Sequence, residues 1–163
     1  MCDTFDIAGQ SAFWESADEL SVLDVKDPSN PIQVGQFDTG FSEDVRHGFP
    51  MCVQDDLIYL LEPRSRRLRI LDVNNPRAPT LVGAKDLDSA GPFKVVGQRG
   101  YLLVDASLQV LDLSNPAQPM EVGRLATSTS NAGVDVVGPR GYVTGSITET
   151  NHCLTVIDIA NPA

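Results

Sequence analysis

Positive charge is what this sequence has least of. Twelve Lys and Arg stand against 22 Asp and Glu, giving a formal net charge of −10 at pH 7 and a pI near 4.4. Binding phosphate backbones needs clustered Lys and Arg, so nucleic acid is excluded as a partner. An acidic surface of this kind keeps a protein soluble, with a patch for cations or a basic partner as the alternative use. Long apolar runs are missing too: none approaches the ~18 residues of a membrane helix, so no membrane span is expected. The opening "MCDTFDIAGQ" lacks the basic and apolar regions of an export signal. Cysteine is scarce, and Cys2, Cys52 and Cys153 can neither all pair nor form a metal-ligand spacing. Cys52 lies in an apolar strand, where a buried, inert thiol is the expectation. The two histidines, His47 and His152, have no Cys, His or acidic partner at metal spacing and read as surface-loop residues. There is no "GxSxG" nucleophile elbow. "GQRGY" and "GPRGY" lead into strands, so they are hairpin turns and not phosphate loops, which need a helix. No reaction and no cofactor can be read from these residues.

What is present is repetition. "LSVLDVKDPSNPIQVG" (20–35), "LRILDVNNPRAPTLVG" (68–83), "LQVLDLSNPAQPMEVG" (108–123) and the shorter "LTVIDIANPA" (154–163) are variants of one phrase. The aspartates that close its first strand, Asp24, Asp72, Asp112 and Asp158, are separated by 48, 40 and 46 residues. A constant phrase on a variable period places the insertions in loops. Upstream of each aspartate lies a second phrase: "FDIAGQSAFW" (5–14), "FPMCVQDDLI" (49–58), "FKVVGQRGYL" (93–102) and "VDVVGPRGYV" (134–143). In each, two apolar runs flank a short turn of Gly, Asp or Ser, which is the signal of a β-hairpin. Each unit therefore predicts four short antiparallel strands in 40–48 residues, the pattern of a propeller blade.

Burial agrees with that reading. In "LRILDV", Leu68 and Ile70 occupy one face and Leu71 and Val73 the other, so both faces are covered, as in a blade held between neighbours. Pro76 and Pro79 donate no hydrogen bond and force the chain to bend. Asp27, Asn75, Asn115 and Asn161 precede the first proline, where an Asx side chain bonds turn amides. Asp24, Asp72, Asp112 and Asp158 are expected to cap turn amides as well; a catalytic carboxylate would not recur in every repeat.

These phrases resemble the LVIVD repeat, a propeller-forming family with an "L-x-V-[IL]-D-[VI]-x-[ND]-P-x-x-P" core followed by "VG". The Trp-Asp dipeptide of WD40 blades and the Gly-Gly doublet of kelch blades are not part of the phrase. The resemblance implies an all-β propeller, commonly extracellular or at the cell surface of bacteria and archaea, and it implies no catalytic residues. The expectation is one propeller-type domain over 1–163, with blades at 5–40, 44–88, 92–127 and 133–163, the last one incomplete. Repeat units cannot bury their faces alone. The end blades then need a neighbour, supplied by ring closure, by a larger propeller or by a homodimer of eight blades, of which the homodimer is favoured.

Candidate binding residues lie in the connections, where rigid scaffolds carry function. "FSEDVRHGF" (41–49) would sit at the channel mouth, making Asp44, Arg46 and His47 a ligand-facing set. Arg64, Arg66, Arg67 and Arg69 form the one basic cluster, either a solvated hairpin loop or a patch for an anion or acidic partner. "STSNAG" (128–133) and "SITETN" (146–151) are further polar loops. The reading is a non-catalytic interaction module that binds a protein or ligand through its loops, or itself. The alternative is a propeller enzyme or ligand-binding protein with a channel-centred site, with or without a divalent metal. Asp6, Pro50, Lys94 and Asp135 align on the inner strands without repeating a ligand type, which favours the first.

Overall fold

The computed structural model describes residues 5–16, 19–40, 50–62, 64–127, 130–148 and 151–160. They form fifteen antiparallel strands and, among them, no helix. Blade 1 is β1 (Phe5–Ala8), β2 (Ser11–Ser16), β3 (Glu19–Asp24) and β4 (Ile32–Asp38). Blade 2 is β5 (Met51–Gln54), β6 (Leu57–Glu62), β7 (Arg67–Asp72) and β8 (Thr80–Asp86). Blade 3 is β9 (Phe93–Val96), β10 (Arg99–Val104), β11 (Ser107–Asp112) and β12 (Met120–Ala126). Blade 4 has three strands among the described residues, β13 (Ser130–Val137), β14 (Arg140–Thr148) and β15 (Asn151–Asp158). Each blade is a meander whose strands pair in chain order, from an inner to an outer edge. The fold is an all-β propeller array.

The hairpins follow from their turns. Gly9, Gly97 and Gly138 open the two-residue turns of blades 1, 3 and 4 with φ near +60°, a conformation that costs glycine nothing. Blade 2 uses Asp55 at φ 54°, and Asp tolerates this region better than most residues. That turn corrects the alignment of the second inner strand by two residues. Met51 pairs with Leu60 as Phe5 pairs with Trp14 and Phe93 with Leu102. Cys52, not Pro50, therefore shares the register of Asp6, Lys94 and Asp135. Register counts back from the turn, and "DD" sits two places later in its phrase than "GQ" does.

The period-2 alternation of the strands is used twice, once for each neighbouring blade. Leu68 and Ile70 of β7 face blade 3, packing with Leu102 and Leu113. Leu71 and Val73 face blade 1, packing with Phe13 and Val22. The joint between blades 3 and 4 repeats the arrangement, with Tyr101, Leu108 and Val110 against Val136, Val143 and Ile157. At ~25 cal/mol per Å² of apolar surface removed from water, these three clusters hold the array together. Each blade contributes to its successor's core, so stability is shared along the chain.

The recurring glycine of "VG" has a purpose at the same joints. A Cβ on Gly35 would lie 1.9 Å from the carbonyl oxygen of Pro76, and one on Gly83 would lie 1.9 Å from that of Pro116. The outer strands of blades 1 and 2 thus each form a cup, and the proline turn of the next blade fills it. Only glycine leaves room for that approach.

Candidate functional site

The inner strands of all four blades border a cavity of about 310 Å³, lined by side chains that include Asp6, Cys52 and Lys94. Their shared register comes from the hairpins, which project one side chain per blade toward the neighbouring inner strand. Asp6 Oδ2 accepts the Val53 amide of blade 2 at 2.8 Å, while Oδ1 accepts the Ile7 amide at 2.8 Å. The Cys52 thiol meets the backbone of Val95 in blade 3, and burial first, then the Asp6 charge, pushes its pKa up. A thiol held protonated is a poor nucleophile and a poor metal ligand. Lys94 Nζ lies 3.4 Å from Asp135 Oδ1 of blade 4. One position in three successive blades therefore links each blade to the next.

A second polar link lies beside it. Gln54 Nε2 donates to the Gly97 carbonyl at 2.7 Å, and the Gly97 amide donates to Gln54 Oε1 at 2.9 Å. Among the described residues, no group of three or more His, Cys, Asp and Glu is placed to hold a metal ion. The arrangement binds blades together and leaves the cavity of about 310 Å³ between them.

The repeated acids sit at the opposite end of the strands. Asp24, Asp72, Asp112 and Asp158 each accept the amide two residues on, from Lys26, Asn74, Ser114 and Ala160, at 2.8–2.9 Å. Asp27, Asn75 and Asn115 do the same for Ser29, Arg77 and Ala117 at 3.0–3.2 Å. Hydrogen bonds to the ionised form hold two of these acids below the ordinary carboxylate value. For Asp112 the Ser114 amide contributes most and Arg99 adds to it; for Asp27 the Ser29 hydroxyl leads. These carboxylates are spent on the turns.

The four arginines do not converge on one point. Arg66 donates to the Asp88 carbonyl at 3.2 Å, Arg67 lies 3.6 Å from Asp86, and Arg64 is exposed. Arg69 lies deeper along the strand, in the joint with blade 1. It pairs with the buried Glu62 and donates to the Thr39 carbonyl at 2.6 Å. Asp44, Arg46 and His47 lie outside the described residues. His152 is exposed and shares a 2.8 Å hydrogen bond with Ser146. Cys52 and Cys153 are free thiols. The links made by Asp6, Gln54 and Arg69 were not legible in the sequence, because each crosses between blades at a place where the repeats differ. The recurrence of the "VG" glycine was legible, but the proline carbonyl that it packs against was not.

The LVIVD repeat family matches residues 15–39, 64–86 and 94–127, half of the chain. No curated protein matches. Solved structures with the same fold include hydrazine synthase from Kuenenia stuttgartiensis, 16% identical with a TM-score of 0.71, over 94% of this chain and 44% of that one. BamB from Moraxella catarrhalis is 14% identical with a TM-score of 0.65, over 97% of this chain and 46% of its own. The computationally designed Ika4 protein is 8% identical with a TM-score of 0.68, over 96% of this chain and 89% of its own. The chain spans less than half the length of the two natural structures. At these identities the likeness is one of fold, and the fold is a β-propeller.

Proposed function

The chain belongs to the LVIVD repeat family, and from that premise we propose that it is a non-catalytic propeller scaffold whose loops bind a protein or ligand. The observation that carries this reading is how the polar side chains are used. The acids that recur in every repeat cap turn amides, and the inner-strand groups Asp6, Cys52 and Lys94 are engaged across the joints. Residues committed to holding a frame are not free to take part in turnover. Binding then falls to the connections: the 41–49 segment with Asp44, Arg46 and His47, and the loop carrying Arg64, Arg66 and Arg67, whose forked donors suit an acidic partner. A place at the cell surface accords with the family.

A second reading is favoured by the 310 Å³ channel cavity, which has room for a small polar ligand beside Lys94 and Asp6. Native mass spectrometry and elemental analysis of protein purified from its own host separate the two. The scaffold reading expects a mass accounted for by polypeptide alone and no stoichiometric metal. A small molecule or metal at one per chain, released by Lys94→Ala, would replace it with the channel-centred reading.

A further inference from the structure

Blade 1 and blade 4 each keep one face that no other blade covers. At positions buried inside the array, the corresponding residues of these faces are open. Leu154 and Val156 of β15 are 61% and 51% exposed, whereas their equivalents Leu20, Leu68, Leu108 and Val22, Ile70, Val110 are at most 3% exposed. Trp14 of β2 is 48% exposed, whereas Leu60, Leu102 and Val143 in its place are fully buried. Phe5 and Ile7, on the same face as Trp14, are also exposed. Among the described residues, no apolar cluster joins blade 4 to blade 1.

The two faces are the two halves of one joint. In every internal joint the leading blade presents the positions of Tyr101, Leu108 and Val110, and the following blade those of Val136, Val143 and Ile157. Blade 4 presents Tyr142, Leu154 and Val156 at the leading positions; blade 1 presents Ile7, Trp14 and Leu23 at the following ones. We propose that two copies of this chain dock head to tail through these faces, blade 4 of each on blade 1 of the other, closing a two-fold ring of eight blades. A heterologous contact of this kind ends in a ring when its rotation closes.

Two features fit these blades to each other. Trp14 is larger than the leucine or valine that the other following blades carry in its place, and Thr144 of blade 4 is smaller than Leu61 and Leu103 at the leading position. A large residue thus meets a small one, which keeps the joint at packed density. Asp135 stands where Asp6 does, and Ile7 where Val53 does. Asp135 Oδ1 accepts the Val136 amide, so Oδ2 of one copy is turned to the inner strand of blade 1 of the other, as Asp6 Oδ2 is turned to blade 2, while the Ile7 amide keeps its own bond to Asp6 Oδ1.

Light scattering on the purified chain at tens of micromolar tests the ring. Each chain is 17.6 kDa, so the expected mass is twice that. Trp14→Glu and Leu154→Asp, made separately, are each expected to give the single-chain mass with an unchanged far-UV circular dichroism spectrum, while Met120→Asp, at an exposed residue off both faces, leaves the dimer intact. Mixing the Trp14→Glu and Leu154→Asp proteins restores a weaker dimer, because each still offers one intact face. A wild-type protein at the single-chain mass overturns the proposal. So does a ladder of larger species, or a mixture of the two variants that stays at the single-chain mass. None of these results bears on the loop-binding reading.

Discussion

At Gly83 an added Cβ would lie 1.9 Å from the Pro116 carbonyl oxygen and 2.9 Å from its carbon, both backbone atoms that cannot swing aside. At Gly97 nothing lies within 4 Å, and only the backbone angle of φ 59° resists a side chain. The two glycines predict different penalties. Gly97→Ala should cost about 1 kcal/mol, the price of one residue in the left-handed region. Gly83→Ala should cost about 3 kcal/mol, since overpacking forces blades 2 and 3 apart. Urea denaturation of the two variants checks the order, and equal losses would remove the cup from the account of the joint. The turn acids make a pH prediction. The carboxyl of Asp112 is held below its ordinary 3.8 in the folded chain, so its contribution is whole above that value and disappears as pH falls through the lowered one. Thermal midpoints should therefore drop as the protein is acidified below 3.8, and less steeply for Asp112→Asn. Both features were partly legible beforehand. "VG" and the closing aspartate recur at a constant place, whereas the Pro116 carbonyl that Gly83 meets lies in another blade, which spacing alone does not reveal.

Between elements, each joint combines an apolar cluster with polar links that differ from joint to joint. Arg69 is 22% exposed and pairs with Glu62, 5% exposed, at the joint between blades 1 and 2. Arg69→Met would leave that carboxylate buried without its cation, a loss of about 3 kcal/mol. Arg69→Met with Glu62→Leu should recover most of it, because an apolar pair needs no compensating charge. A double-mutant cycle on unfolding free energies measures the coupling, and additive losses would show that the pair does not act as a unit. The arginine cluster shows why such links escape a reading along the chain. Arg67 and Arg69 share one face of β7, but Arg69 lies deeper along the strand in the joint with blade 1, while Arg64, Arg66 and Arg67 stay exposed on the loop or at the strand's start. Four arginines within six positions look like one patch until strand geometry divides them. The two-residue shift of β5 has a similar origin: "FP" imitates "FD", and the turn, not the phrase, sets the register.

At the scale of the whole molecule, stability should fall from the middle of the array toward its ends. Strands β6, β7, β10 and β11 are covered on both faces and both edges. Strand β15 has an unpaired edge among the described residues and an open face at Leu154 and Val156. In a nearest-neighbour array, a unit with one interface opens more readily than a unit with two. Hydrogen exchange read by mass spectrometry should then find the slowest amides in β6, β7, β10 and β11, and faster ones in β1 and β15. Concentration adds a discriminating second reading. If the two end faces dock on each other, raising the protein concentration slows exchange in β15 and β2 together, by the same mass action, and leaves the central strands unchanged. Protection that rises in β15 alone would mean that the edge strand pairs with something other than the blade 1 face. Protection that rises in neither would mean that the exposed tryptophan and leucine face water in the free protein, with the array standing as an open arc.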